Sequence, residues 1–242
     1  MYTIEAKLAG IPLCVELRYS YTGKLFQDYI VKLSEEEKNA SLNISVTEEE
    51  ILAEQTDPEH QYPLPYLESL AVYRKISHKF LEYDILLFHC SALEIDGKAV
   101  LFTAPSGTGK STHARLWREH FPDKVRTIND DKPLLKIEGQ GVVVYGTPYG
   151  GKDGLQNNIS APVAAIAILE QRKENEIHRL SMKEAYPMLL NQTYRKKDAP
   201  GLIRTMDLVG RVAELPVYCL KCNISEEAVE LVYKTLKGEK IL

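Results

Sequence analysis

Ala99-Val100-Leu101-Phe102-Thr103-Ala104-Pro105-Ser106-Gly107-Thr108-Gly109-Lys110-Ser111-Thr112 is the stretch on which the reading of this chain turns. An apolar, strand-forming run leads into a glycine-bearing loop, and a helical pattern, His113-Ala114-Arg115-Leu116-Trp117-Arg118, leads out. Strand, Gly-rich loop and helix in that order is the setting of a phosphate-cradling loop. Gly107 and Gly109 let backbone N–H groups turn inward with no Cβ in the way. The helix start adds free amide donors and the positive end of its dipole. Lys110 can reach β and γ phosphates, and the Ser111 hydroxyl suits Mg²⁺. The expected nucleotide-binding residues are therefore Ala104, Pro105, Ser106, Gly107, Thr108, Gly109, Lys110, Ser111 and Thr112. Ala104 stands where such loops usually begin with glycine, which is tolerable if its φ stays negative.

Upstream, Leu86–Ile95 reads as a strand, and only Asp96-Gly97 separates it from Lys98–Thr103. Asp-Gly between two apolar runs is the strongest short hairpin signal. The strand that feeds the loop is thus expected to pair antiparallel with its predecessor, giving a mixed sheet. A two-residue turn sets Ile95 opposite Lys98 and carries His89 opposite Ala104, at the loop mouth. A histidine there can donate a hydrogen bond to phosphate.

Downstream, Val125–Ile128 reads as a short strand ending in Asn129-Asp130-Asp131. Paired carboxylates at a strand end beside a phosphate loop suit phosphoryl transfer: one holds Mg²⁺ and the other takes the proton of the attacking hydroxyl. A hairpin, Leu134–Glu138 with Val142–Tyr145, opens into the glycine-rich Gly146–Gly154 loop. That loop is expected to close over substrate, with Lys152 neutralising the transferring phosphate.

The rest of the chain frames this site. Its 242 residues, 44% hydrophobic, suffice for one large domain with a small appendage. A net charge of −4 gives no general attraction to nucleic acid or anionic membrane. No apolar run approaches the ~20 residues that span a bilayer, and Met1–Lys7 lacks a secretory signal pattern. The cytoplasm is the expected location. Four scattered cysteines make no disulfide framework, and Cys219 and Cys222 fall on opposite faces of an expected strand. Residues 1–65 read as a small α/β appendage: a hairpin over Tyr2–Tyr19, strands at Tyr29–Leu33 and Leu42–Val46, and a helix capped by Thr47. The Pro-rich run before Tyr66 marks the expected boundary, with 66–242 as the nucleotide-binding domain. Helices are expected at about Tyr66–Tyr83, Ser181–Leu190, Thr205–Leu215 and Glu226–Lys237, and a strand at Ala164–Leu169. The basic stretch Tyr194-Arg195-Lys196-Lys197-Asp198 is surface that could also dock an acidic acceptor.

Taken together, His89-Cys90-Ser91-Ala92-Leu93, the Asp96-Gly97 hairpin, Ala104–Ser111 and Asn129-Asp130-Asp131-Lys132 resemble the catalytic domain of HPr kinase/phosphorylase. They are also similar to the related nucleotide fold of phosphoenolpyruvate carboxykinase. The resemblance covers roughly residues 85–235. It implies an α/β P-loop domain with a mixed, partly antiparallel sheet, use of ATP and Mg²⁺, and phosphorylation of a serine-type hydroxyl on a protein or peptide. It further implies Asp130 as general base, Asp131 as a magnesium-side carboxylate and His89 as a phosphate-proximal helper. The Leu-Glu-Ile-Arg-Gly-x-Gly signature of the HPr enzymes is absent, Val144–Tyr149 standing in its place, so a different acceptor is expected. Relatives that assemble through this fold make a homo-oligomer an expectation as well. The alternatives are a nucleotide-binding regulatory module with little or no catalysis, or a kinase of a small-molecule hydroxyl.

Overall fold

The computed structural model describes residues 1–242, which pack as two units, Met1–Glu82 and Tyr83–Leu242. In the first unit, β1 (Tyr2–Leu8) and β2 (Ile11–Leu17) form a hairpin around Ala9-Gly10. Both turn residues have positive φ, 48° and 80°, as a two-residue turn of matching twist requires. α1 (Ser20–Leu25) and α2 (Glu35–Asn39) follow, and β3 (Leu42–Ile44) joins β2 in parallel. The strand expected at Tyr29–Leu33 is not one: a 3₁₀ turn occupies Gln27–Tyr29, and a single bridge ties Ile30 to Ala6. α3 (Glu48–Leu52) starts with the reciprocal Thr47–Glu50 cap.

α4 (Leu64–Phe80) completes this unit, so the boundary between the units falls after the helix and not at the Pro-rich break before it. Burial of Glu68 explains the difference. Its carboxylate accepts from Arg18 N (2.7 Å), Tyr19 N (3.2 Å) and Thr22 Oγ1 (3.3 Å), so the helix satisfies the amides that end β2. Arg74 pairs with Glu54 and Lys75 with Glu50 on the same helix.

The second unit is built on a nine-stranded mixed sheet. Its strands are β4 (Ile85–Leu87), β5 (Ser91–Ile95), β6 (Lys98–Thr103), β7 (Val125–Asn129), β8 (Leu134–Glu138) and β9 (Gly141–Tyr145). They are completed by β10 (Ser160–Gln171), β11 (Glu176–Arg179) and β12 (Val217–Cys222). α5 (Lys110–His120) follows β6, α6 (Met182–Asn191) and α7 (Ala199–Val212) precede β12, and α8 (Glu226–Gly238) follows it. The order β4-β8-β9-β10-β6-β5-β7 places β10 between β9 and β6, and β12 pairs parallel with its second half. Alternate residues of β6, Val100 and Phe102, pack with Trp117 of α5 and Val229 and Val232 of α8 in one apolar cluster. Cys219 and Cys222 are buried free thiols on β12.

The β5–β6 hairpin turns at Asp96 (φ 52°) and Gly97 (φ 77°), with Ile95 opposite Lys98 as the two-residue turn dictates. The long strand expected over Leu86–Ile95 is divided into β4 and β5, yet its pairing does not break. Leu87 faces Leu134, Phe88 N bonds to Pro133 O, Cys90 N bonds to Asp131 O, and Ala92 faces Asn129, all in one register. Return bonds are missing because Pro133 has no N–H and the Asp131 amide is taken by Asn129 Oδ1. One extended segment, 85–95, therefore serves β8 at one end and β7 at the other. His89 and the Asp pair lie where the ladder loses its reciprocal bonds.

Candidate functional site

The edge where β6 and β7 end and β5 begins gathers the polar residues. Ala104 keeps φ out of the positive range, and its methyl is wholly buried in the cluster behind the loop. Gly107 (φ 81°) and Gly109 (φ 100°) adopt the left-handed backbone that a side chain resists. Pro105, Ser106, Gly107 and Ser111 are exposed, and Gly109 caps α5. Thr108 N and Oγ1 both bond to Pro105 O, and Gln171 at the end of β10 donates to Thr108 O at 3.1 Å. Lys110 is buried, its Nζ 3.0 Å from Ala104 O and 3.4 Å from Pro105 O. Burial lowers its pKa against the opposing pull of Asp131, Cys90 and Asp130, which puts all four within charge range of one another.

Asn129 organises the turn that presents the two aspartates. It is fully buried, and its Oδ1 accepts from Asp131 N (2.9 Å) and Lys132 N (2.8 Å). Its Nδ2 donates to Thr147 O and Thr147 Oγ1, both at 3.1 Å. The two carboxylates meet different surroundings. Asp130 is buried, and its Oδ1 and the Ser91 Oγ make no well-aligned hydrogen bond, although Ser91 lies close enough to favour the charged carboxylate. Burial raises the Asp130 pKa; Ser91, Ser111 and Arg118 act the other way without cancelling that effect. Asp131 is also penalised by burial, but His89 and Lys132 outweigh it and hold the carboxyl below its usual range. His89 Nε2 is 3.4 Å from Asp131 Oδ1, and Lys132 Nζ is 3.3 Å from Asp131 Oδ2.

His89 is also held from behind. Its amide donates to Gln192 O at 2.8 Å, its Nδ1 lies 3.3 Å from Gln192 Oε1, and its carbonyl accepts from Thr103 Oγ1 at 2.7 Å. The imidazole is thus set between Gln192 and Asp131. The thiol of Cys90, fully buried beside these groups, has its pKa raised well above the usual value and stays protonated. In the Gly146–Gly154 loop, Gly151 lies so close to Asp131 that a Cβ there would sit 3.0 Å from the Asp131 Cβ. Asp153 adds to the charge around Asp130. Lys152 between them is exposed and makes no hydrogen bond or ion pair.

The loop residues, Lys110, Ser111, His89, Asp130 and Asp131 therefore share one edge, with Lys152 on the loop beside it. Asn129, Ser91, Gln171 and Gln192 belong to the same edge but were not among the expected site residues. Asn129 announced itself only as a turn former. Gln171 and Gln192 carried no local signal, lying far along the chain from the groups they hold.

The fold and this edge define an α/β protein with a glycine loop, a helix start and an acidic strand end converging at one side of a mixed sheet. The chain belongs to the ScmC family: the family described as SynChlorMet cassette protein ScmC matches residues 61–237. Among solved structures, the HPr(Ser) kinase/phosphatase from Coxiella burnetii is a distant likeness, with 12% identity and a TM-score of 0.39. That match covers 64% of this chain and 97% of the other. No curated protein matches the sequence. No helix is long and apolar enough to cross a membrane.

Proposed function

We propose that the protein is an ATP- and Mg²⁺-dependent phosphotransferase that moves the γ-phosphate to a serine-type hydroxyl of a peptide or protein. The observation that carries this reading is the meeting of Lys110 and Ser111 with Asp130, whose buried carboxylate keeps one oxygen without a well-aligned hydrogen bond. The amides of the Gly107–Ser111 turn would hold the β and γ phosphates, and Lys110 would leave the Ala104 and Pro105 carbonyls to join them. Ser111 with one aspartate would hold Mg²⁺. A hydroxyl and a carboxylate form the sparse donor set that suits this ion when phosphates supply further oxygens. Bound there, Mg²⁺ would neutralise phosphate charge. Asp131, expected for that place, would first have to loosen its pairs with His89 and Lys132. Asp130, also beside Ser111, is left to take the acceptor proton.

In the transfer itself, the acceptor oxygen bonds to the γ-phosphorus while the bond from that phosphorus to the β-bridging oxygen breaks, releasing ADP. The acceptor proton passes to Asp130, whose raised pKa makes it a better proton acceptor than an exposed carboxylate. His89, with Nδ1 against Gln192 and Nε2 against Asp131, would donate to a phosphate oxygen once Nε2 leaves Asp131. The test is incubation with γ-labelled ATP, Mg²⁺ and a serine-containing peptide. Label on serine is the expected result; bound nucleotide without transfer to any hydroxyl would leave the non-catalytic alternative. That alternative is favoured by one feature, the engagement of Lys110 with its own loop.

A further inference from the structure

Resting on the phosphotransferase reading, the geometry points to an acidic peptide segment as the acceptor, gripped by Arg195 and Lys197 on the strap that leaves the His89 site. The strap begins at the site itself. Gln192 contacts His89, Thr193 bridges to Phe88, and Tyr194 N bonds to Leu87 O, so the strap runs antiparallel to the 87–89 segment. Continued in that direction, Arg195 stands about three residues back from His89, roughly 10 Å at the rise of an extended chain.

The middle residue of the basic run is spent on structure. Lys196 lays its stem over Gly201, where a Cβ would meet Lys196 Cδ at 2.5 Å, and its Nζ pairs with Asp198 at 3.0 Å. Asp198 is itself committed as the cap of α7, accepting from Gly201 N at 2.9 Å. Successive side chains of an extended run point to opposite sides. With Lys196 turned onto the helix, Arg195 before it in the extended run faces away, and Lys197 stands exposed at the bend that leads into α7. Both are exposed, and neither has a hydrogen bond or ion pair. Two uncompensated cations on a protein of net charge −4 form a local field that favours an anionic partner. Farther along the chain, on α7, Ile203 and Met206 are exposed about one turn apart. A small-molecule hydroxyl bound at the Asp130 edge would not span the distance to Arg195; a chain of three or more residues would.

The probe is a fluorescein-labelled peptide of about twelve residues with one serine, two or three glutamates three to four residues from it, and a leucine beyond. Matched peptides carry glutamine or lysine in place of glutamate. Anisotropy with the full chain should show the glutamate peptide binding at least ~10-fold tighter than the glutamine peptide at low salt, with the gap closing as salt rises. The double change Arg195→Glu with Lys197→Glu should remove that preference and turn it toward the lysine peptide, while ATP affinity is unchanged. Equal binding of the three peptides, or a preference that survives the double change, overturns the docking assignment. Phosphate transfer is read separately on the same peptides. Charge-dependent binding without transfer keeps the docking surface and removes the phosphotransferase reading, whereas transfer with no charge dependence does the reverse.

Discussion

His89 Nε2 approaches Asp131 Oδ1 to 3.4 Å, and this contact separates the work of the two adjacent aspartates. Asp131 is tied to a histidine and a lysine and held in its charged form. Asp130, one residue earlier, is buried, keeps an oxygen without a well-aligned hydrogen bond and holds its proton more readily. Two neighbours on one turn thus present one restrained and one available carboxylate.

Asp130→Asn preserves shape and removes the proton acceptor. General-base loss should lower single-turnover transfer by about 10²–10⁴-fold. ATP affinity by calorimetry should stay within a few fold. Transfer at the wild-type rate would remove Asp130 from the chemistry.

Lys110→Ala deletes the cation that the loop now holds through two carbonyls. Nucleotide affinity should fall by one to two orders of magnitude, about 1.4–2.8 kcal/mol. Thermal stability without nucleotide should change little, because a partly desolvated lysine is removed together with its burial cost. Unchanged ATP binding would mean that the Gly107–Lys110 turn is not the phosphate cradle.

His113 predicts a pH dependence of stability. It is buried against Phe102, accepts from Trp117 Nε1 at 3.1 Å, and burial lowers its pKa to about 4 from 6.5. The folded form therefore resists a proton that the unfolded chain accepts. This contribution is fully present above pH ~6.5 and is lost as the pH falls toward ~4. At about 1.4 kcal/mol per unit it amounts to about 3 kcal/mol. Denaturant titrations across that window should show the loss, and His113→Phe should flatten it. An identical slope in the two proteins would contradict the assignment.

Asn129→Ala leaves the Asp131 and Lys132 amides and the Thr147 carbonyl short of partners in a buried turn. A cost of about 2–4 kcal/mol is expected from the unsatisfied groups. Chemical denaturation would measure it, and a loss under ~1 kcal/mol would show that water replaces the side chain.

Gly146→Ala forces a Cβ to 1.9 Å from Asn157 O, a backbone atom, whereas a Cβ on Gly141 meets nothing closer than 3.8 Å. The first change should cost about 3 kcal/mol or more by overpacking, and the second almost nothing. Comparable melting temperatures for the two variants would mean that the loop around Gly146 moves freely away from Asn157.

Much of this protein is legible in its sequence, for reasons that are local. Asp96-Gly97 fixes a hairpin because only certain residues tolerate two successive positive φ values, and that turn alone sets the β5–β6 register. The Thr47–Glu50 cap is written in four residues. The strand, glycine loop and helix from Ala99 to His120 follow from apolar pattern and Gly107 and Gly109. What the chain's order could not disclose is which distant group meets which. Pro133 and the Asn129 side chain strip reciprocal bonds from the ladder, and so divide one expected strand into two. Gln192 reaches His89 from across the sequence, and Glu68 draws α4 into the first unit by meeting amides of Arg18 and Tyr19. Turns and caps are closed by hydrogen bonds a few residues apart, so composition specifies them. The partners of Asp130 and Asp131 depend on where whole strands and loops come to rest, and only packing settles that.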